Sequence, residues 1–385
     1  MKTNILFERI LQKIKNCHKK LLKHIENQKR LRSLKCKIET ISPFKKSTII
    51  PSNTIAIIEP NPFHAETLPG YIKYFIDLGY NVDVFICIEN AAEKPFALMP
   101  QKFRIFIGKE QNIQKWISYK NMADYSLIFF SSLIHNKTLR FMPSLVSKKC
   151  RNIIGIAHNI ISYDQWLSQN NDYKKMKINK RVATLTTLTG YEFINPHYFG
   201  NITITDKNNN KTIFIAIGSV SRLNSSNLLI TAVRQLKQNY NQQFEVHIIG
   251  NGSIDIPTDL QPYILQYGRL DFPSMYREIE NADFILALLD SHVQQNLQYL
   301  NGTTSGSIQL SLGFQKPLII ESLFAKAYAF NNKDAIIYKD NELHLAMKYS
   351  IEMQPDQYTS IQQCILEKSE KIYNESIKAI TRMTH

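Results

Sequence analysis

Short apolar runs of strand length alternate with stretches of helical length along this chain, stop at a polar break, and then start again. Residues 54–58 (TIAII), 82–88 (VDVFICI), 104–107, 126–131, 152–157 and 182–188 read as buried strands. A helix is expected over 69–78, stopped at Gly79. Apolar strands separated by helical stretches imply parallel βα units with helices on both faces. The break is 205–211 (TDKNNNK), an interdomain linker by composition. After it the spacing predicts strands at 212–217, 244–249, 264–267, 284–289 and 318–320. Helices are predicted at 227–236, 274–280 and 305–312, with a closing helix over 358–381. At 385 residues the chain is long enough for two domains. The expected fold class is α/β: two Rossmann-like, doubly wound domains with a cleft between them, at 49–204 and 212–355. They are followed by a C-terminal helix over 356–385.

The chain carries 47 basic and 32 acidic residues, a net +15, and the excess is concentrated at one end. Residues 1–48 hold 14 basic and 3 acidic residues, so the remainder is nearly neutral. Within this arm Leu6, Ile10, Ile14, Cys17, Leu21 and Ile25 recur at helical spacing among lysines. A basic amphipathic helix of this kind suits an anionic membrane surface. It also suits packing on the body or on another chain. Nucleic acid is disfavoured, because aromatics do not interleave the lysines. No apolar stretch approaches the ~20 residues of a membrane-spanning helix, and the lysines interrupt any secretory signal. The five cysteines are scattered without a CxxC pair, which fits a reducing, cytoplasmic setting. The expected location is therefore cytoplasmic, peripheral at an inner membrane face.

In the second half the strand ends run into small residues: Gly218-Ser219, Gly250-Asn251-Gly252, Gly268-Arg269, and Thr303-Thr304-Ser305-Gly306-Ser307 opening a helix. Glycine admits a ligand close to the backbone, and free N–H groups at a helix start favour phosphate. The alternative for the last segment is an ordinary capped turn. The chain has no GxxxxGK[ST], no GxGxxG after the first strand of either half, and no GxSxG elbow. P-loop, nicotinamide and α/β-hydrolase chemistries are therefore disfavoured.

The segments 213–236, 244–253, 264–290 and 303–320, in that order, resemble the nucleotide-binding domain of GT-B glycosyltransferases, which take sugars from nucleotide-sugar donors. The histidine segment IGIAHN (154–159) resembles one common in the acceptor domain. The resemblance implies that Gly218, Ser219 and Arg222 lie near the donor diphosphate. It implies that Gly250, Tyr267 and Arg269 line the base pocket, and that Thr303, Thr304, Ser305, Gly306 and Ser307 hold phosphate or sugar. Family positions for Arg, Lys and two glutamates read otherwise here: Ser219 and Asn224 replace the first two, and Gln309 stands near the last. Stereochemistry stays open.

For the base that takes the acceptor proton, His64 and Glu66 follow the first strand directly, and His158 follows another. Glu66 as a helix-start carboxylate and His158 as a structural histidine are the competing readings. Asp290 binds donor hydroxyls or caps a turn. No cofactor and no metal is expected, since no DxD pair follows a strand. The expected partners are a nucleotide sugar, a glycan or lipid-linked acceptor and, through residues 1–48, an anionic membrane. Bacterial surface-polysaccharide or lipopolysaccharide assembly fits that set. The alternatives are a nucleotide-sugar epimerase of the same fold and a catalytically degenerate scaffold.

Overall fold

The computed structural model describes residues 43–133, 152–169, 181–208, 210–218 and 227–384. The arm at 1–42, with Ser219 and Arg222, lies outside the described residues.

Two parallel sheets form the body. The first contains β1 (Thr54–Glu59), β2 (Asn81–Cys87), β3 (Arg104–Gly108), β4 (Leu127–Phe130), β5 (Ile153–Ala157), β6 (Val182–Thr184) and β7 (Glu192–Phe193). Its order is β3-β2-β1-β4-β5-β6-β7. The second contains β8 (Thr212–Ile217), β9 (Phe244–Ile249), β10 (Ile264–Gly268), β11 (Phe284–Leu286), β12 (Leu318–Glu321) and β13 (Ala335–Tyr338), in the order β10-β9-β8-β11-β12-β13. Each sheet reverses direction of growth beside its first strand, which is the doubly wound arrangement. All six residues of β1 are buried, as a strand covered on both faces requires.

The helices lie between these strands. They are α1 (Leu68–Asp77), α2 (Ile88–Ala92), α3 (Glu110–Ile117), α4 (Ile160–Gln169), α5 (Leu228–Leu236), α6 (Phe272–Asn281), α7 (Gly306–Phe314), α8 (Ser322–Ala327) and α9 (Leu343–Glu352). The last helix, α10 (Pro355–Thr384), runs for 30 residues. It starts in the second core, where Tyr358 donates to the Asp283 carbonyl at 2.8 Å. It ends in the first, where Ala379 and Ile380 are buried. No helix among the described residues is long and apolar enough to cross a membrane.

Phe44, inside the segment that the charge pattern assigns to the arm, is buried with its ring centroid 5.1 Å from Phe85 and 5.0 Å from Phe106. The 205–211 segment packs on the second sheet: Asn208 and Ile213 donate backbone N–H to Asp283, both at 2.7 Å. Buried Lys316 donates to Thr205 Oγ1 at 2.6 Å and to the Glu280 carbonyl at 2.9 Å. Its burial draws its pKa down to about 8. The strand expected over 284–289 stops at Leu286, because Leu288 adopts a left-handed backbone, φ 46°. Strand β13 and helix α9 carry no signal that sequence reasoning used.

Gly70 lets α1 close on the chain at Pro196: a Cβ there would stand 2.6 Å from Pro196 Cα. Alanine gains about 1 kcal/mol of helix propensity, but overpacking against backbone costs about 1–3 kcal/mol. Gly70→Ala should therefore destabilise the protein by up to roughly 2 kcal/mol in chemical denaturation.

Candidate functional site

In open parallel sheets ligands sit beyond the carboxyl ends of the strands. The ends of β8, β9, β10 and β11, with the start of α7, enclose a cavity of about 370 Å³. Gly218 closes β8 with φ 145°, a conformation other residues rarely adopt, and a Cβ there would meet nothing within 4 Å. Leu288, the strained residue after β11, also lines this cavity. Backbone strain of this kind is commonly held at functional sites.

Helix α7 opens at the cavity. Ser305 precedes it in extended conformation and makes no side-chain cap. A Cβ on Gly306 would meet nothing within 4 Å, so the backbone there faces open space. The first N–H groups of a helix have no partner within it and carry the positive end of its dipole. Among the described residues Arg269 is the only cation lining the cavity. Its guanidinium reaches across the cleft to Glu93 at 3.0 Å and is 52% exposed.

Of the residues expected here, Gly218, Gly250, Arg269, Ser305, Gly306 and Ser307 line this cavity. Tyr267 lines neither this cavity nor the one described next; its hydroxyl lies 3.4 Å from His247 Nδ1. Asp290 takes the turn-capping role: its Oδ1 accepts from the His292 N–H at 2.9 Å, and its carbonyl accepts from Asn296. Thr303 gives its carbonyl to the Tyr328 hydroxyl.

The first sheet supplies titratable groups from the opposite side. Glu59 ends β1 and is fully buried; it accepts from Asn61 Nδ2 at 2.7 Å, Ser131 Oγ at 2.8 Å and Ser132 Oγ at 2.6 Å. Burial raises its pKa, although these donors and the His64 charge oppose it. His64 is left-handed, φ 67°, and caps the 3₁₀ turn Ala65–Thr67 ahead of α1. Its Nδ1 lies 3.3 Å from Glu66 Oε1. The ring of His158, just beyond β5, has its centroid 4.2 Å from that of His64. Two candidates far apart in sequence are thus brought into contact, their rings tilted by 37°.

Their environments push them apart electrically. His158 Nε2 lies 2.9 Å from the Ser131 carbonyl. A carbonyl only accepts, so Nε2 carries the proton and Nδ1 keeps its lone pair. Burial, then the neighbouring His64, lowers the His158 pKa to about 3, so the ring is neutral. Burial also opposes charge on His64, but the Glu66 hydrogen bond and charge, with Glu59 behind them, outweigh it and raise its pKa. Burial pushes Glu66 up, but its bond to His64, the charges of His64 and His158 and a backbone N–H together bring its pKa below the usual value.

A cavity of about 480 Å³ lies over this cluster, lined by His64, Glu66, His158, Thr304, Gly306 and Gln309. Glu66, Glu93, Arg269, Gly306 and Gln309 line both cavities, so the two open onto common space. Gln309 is 6% exposed, and its buried Nε2 has no hydrogen-bond partner. Sequence reasoning assigned no role to Glu59, Glu93 or Gln309. A carboxylate closing an apolar strand was the available signal for Glu59. Glu93 gave none, since its partner is 176 positions away.

No family model and no curated protein matches the sequence. Among solved structures, the chain is similar to the glycotransferase of kitacinnamycin, with TM-score 0.51 at 11% identity over 86% of this chain and 100% of that one. It is likewise similar to AviGT4, a glycosyltransferase involved in avilamycin A biosynthesis, with TM-score 0.50 at 8% identity over 86% and 98%. The fold is GT-B. The two Rossmann-like halves are those the strand alternation implied, and the two cavities occupy the cleft between them.

In imidazole NMR titrations His64 should titrate above the ordinary histidine value, while His158 stays neutral down to about pH 3. Glu66→Gln removes the acceptor charge that raises His64, so the His64 midpoint should move to lower pH. An unmoved midpoint would contradict the pairing.

Proposed function

We propose that the chain transfers a sugar from a nucleotide-sugar donor to an acceptor hydroxyl. The observation that carries this reading is the shared lining of the two cavities: a phosphate-suited helix start on one side and a proton-accepting pair on the other face one space. The donor diphosphate sits against the N–H groups of Gly306 and Ser307, with Arg269 as counter-charge. These groups meet the negative charge that grows on the leaving diphosphate. Glu66 holds the Nδ1–H of His64, which leaves His64 Nε2 as the atom that takes the acceptor proton. Neutral His158 offers Nδ1 as an acceptor to a sugar hydroxyl. Gln309 Nε2 donates between the two substrates. Residues 1–48, basic and amphipathic by sequence, support an anionic membrane as the place of action. That setting in turn favours a glycan or lipid-linked acceptor of surface-polysaccharide assembly. The resemblance supports a reaction without a metal.

The test is thermal stability against UDP, GDP, CDP, ADP and TDP. A diphosphate at 100 times its Kd adds roughly 2.7 kcal/mol. One base should stabilise strongly. Gly306→Val points its side chain into open cavity, so it should keep the free protein's stability and lose that response. An unchanged response would overturn the site. His64→Asn, which tolerates the left-handed backbone, should keep the response and lose about 10²–10⁴ in kcat.

A further inference from the structure

A third cavity, of about 340 Å³, lies where α10 and the end of α8 meet β6, β7 and α7. It adjoins the His64 cavity: Leu185 and Thr304 line both. Leu185, Phe193, Ile308, Leu312, Phe330 and Ile372 give it an apolar wall. Its charged lining residues are Lys368, Lys371 and Glu375. Lys368 is held by Asp334 at 2.8 Å. Lys371 and Glu375 stand four residues apart on α10. The wall has two unanswered polar atoms. Asn195 is 3% exposed; its Nδ2 donates to the Leu185 carbonyl at 3.2 Å, which fixes the amide and leaves Oδ1 with no partner. Buried Thr304 Oγ1 has none either. An unpaired buried acceptor costs free energy that a ligand hydroxyl or amide recovers, and the volume suits a small-molecule site.

We propose that this cavity seats the uncharged, apolar portion of the acceptor, with Asn195 Oδ1 and Thr304 Oγ1 bonding a polar group on it. The acceptor class is thus an amphiphile: hydroxyls presented to His64, an apolar group beyond Thr304. This rests on the His64 cavity being the acceptor side.

The test is calorimetric titration of the full chain with n-octyl β-D-glucoside below its micelle concentration, beside methyl β-D-glucoside. Two plugged variants are compared: Thr187→Trp at the exposed rim and Glu375→Trp on α10. The octyl glycoside should bind at least about tenfold more tightly than the methyl one, and either plug should remove that advantage. The nucleoside diphosphate response of both variants should be intact. Equal binding of the two glycosides, or an octyl advantage that survives both plugs, overturns the proposal. Loss of the diphosphate response in the unaltered chain would instead overturn the transfer reading, so the two failures are separable.

Discussion

One helix belongs to both halves of this molecule, and the chemistry depends on where it holds them. At ~1.5 Å per residue α10 extends for about 45 Å. Tyr358 anchors its start beneath the second sheet and Ile380 its end against the first. Between them the Ser376 hydroxyl accepts from the Asn195 N–H at 3.1 Å. Arg382 then pairs with Glu192 at the far end at 2.6 Å. Neither sheet holds a complete site. The helix start at Gly306 belongs to the second half and the His64–Glu66 pair to the first. Only the docking of the two strand-end edges puts them in one space. Two further ion pairs cross the same cleft, Glu93 with Arg269 and Lys94 with Asp271, the latter at 3.1 Å.

The electrostatics of the first sheet follow from burial acting on neighbours of opposite sign. Three ionisable groups in a row would repel or neutralise one another in a medium of low dielectric. Here each is held in a different way. Glu59 lies deepest, where burial favours its protonated form and four donors surround it. His64 lies beside Glu66 with Glu59 behind it, and their charges raise its pKa against the opposing effect of burial. His158 has a carbonyl on one nitrogen and His64 at its face, and burial, then His64, keeps it neutral. Environments that push titratable groups apart in this way separate proton acceptor from hydrogen-bond partner.

Most of the fold was legible in the sequence because buried parallel strands are continuous apolar runs. Residues 212–217 and 244–249 read as strands to the residue, since both are bounded by polar or glycine residues. The overshoot at 284–289 has a physical cause: Leu288 is apolar, yet it turns the chain into the cleft, and hydropathy does not report φ. The site was legible in its loops and partly in its chemistry. The motif HAE placed His64 beside Glu66, but the contact of His158 with His64 depends on β1 and β5 both flanking β4. Arg269 and Tyr267 were both expected at the base pocket; Arg269 lines the cavity at the strand ends, whereas Tyr267 lies against His247, the register shift between Gln266 and Gly268 separating the two. Gln309 was read as a missing glutamate. In the structure it is the buried, unpaired donor common to both cavities.

Hydrogen exchange of the full chain, with and without the stabilising nucleoside diphosphate, tests most directly whether the cleft between the sheets is the working site. Protection is predicted at the strand ends 217–218, 249–251 and 269–270 and at 305–310, with a smaller effect at 63–66 across the cleft. Protection confined to another surface, or none at these segments at saturating ligand, would contradict the account.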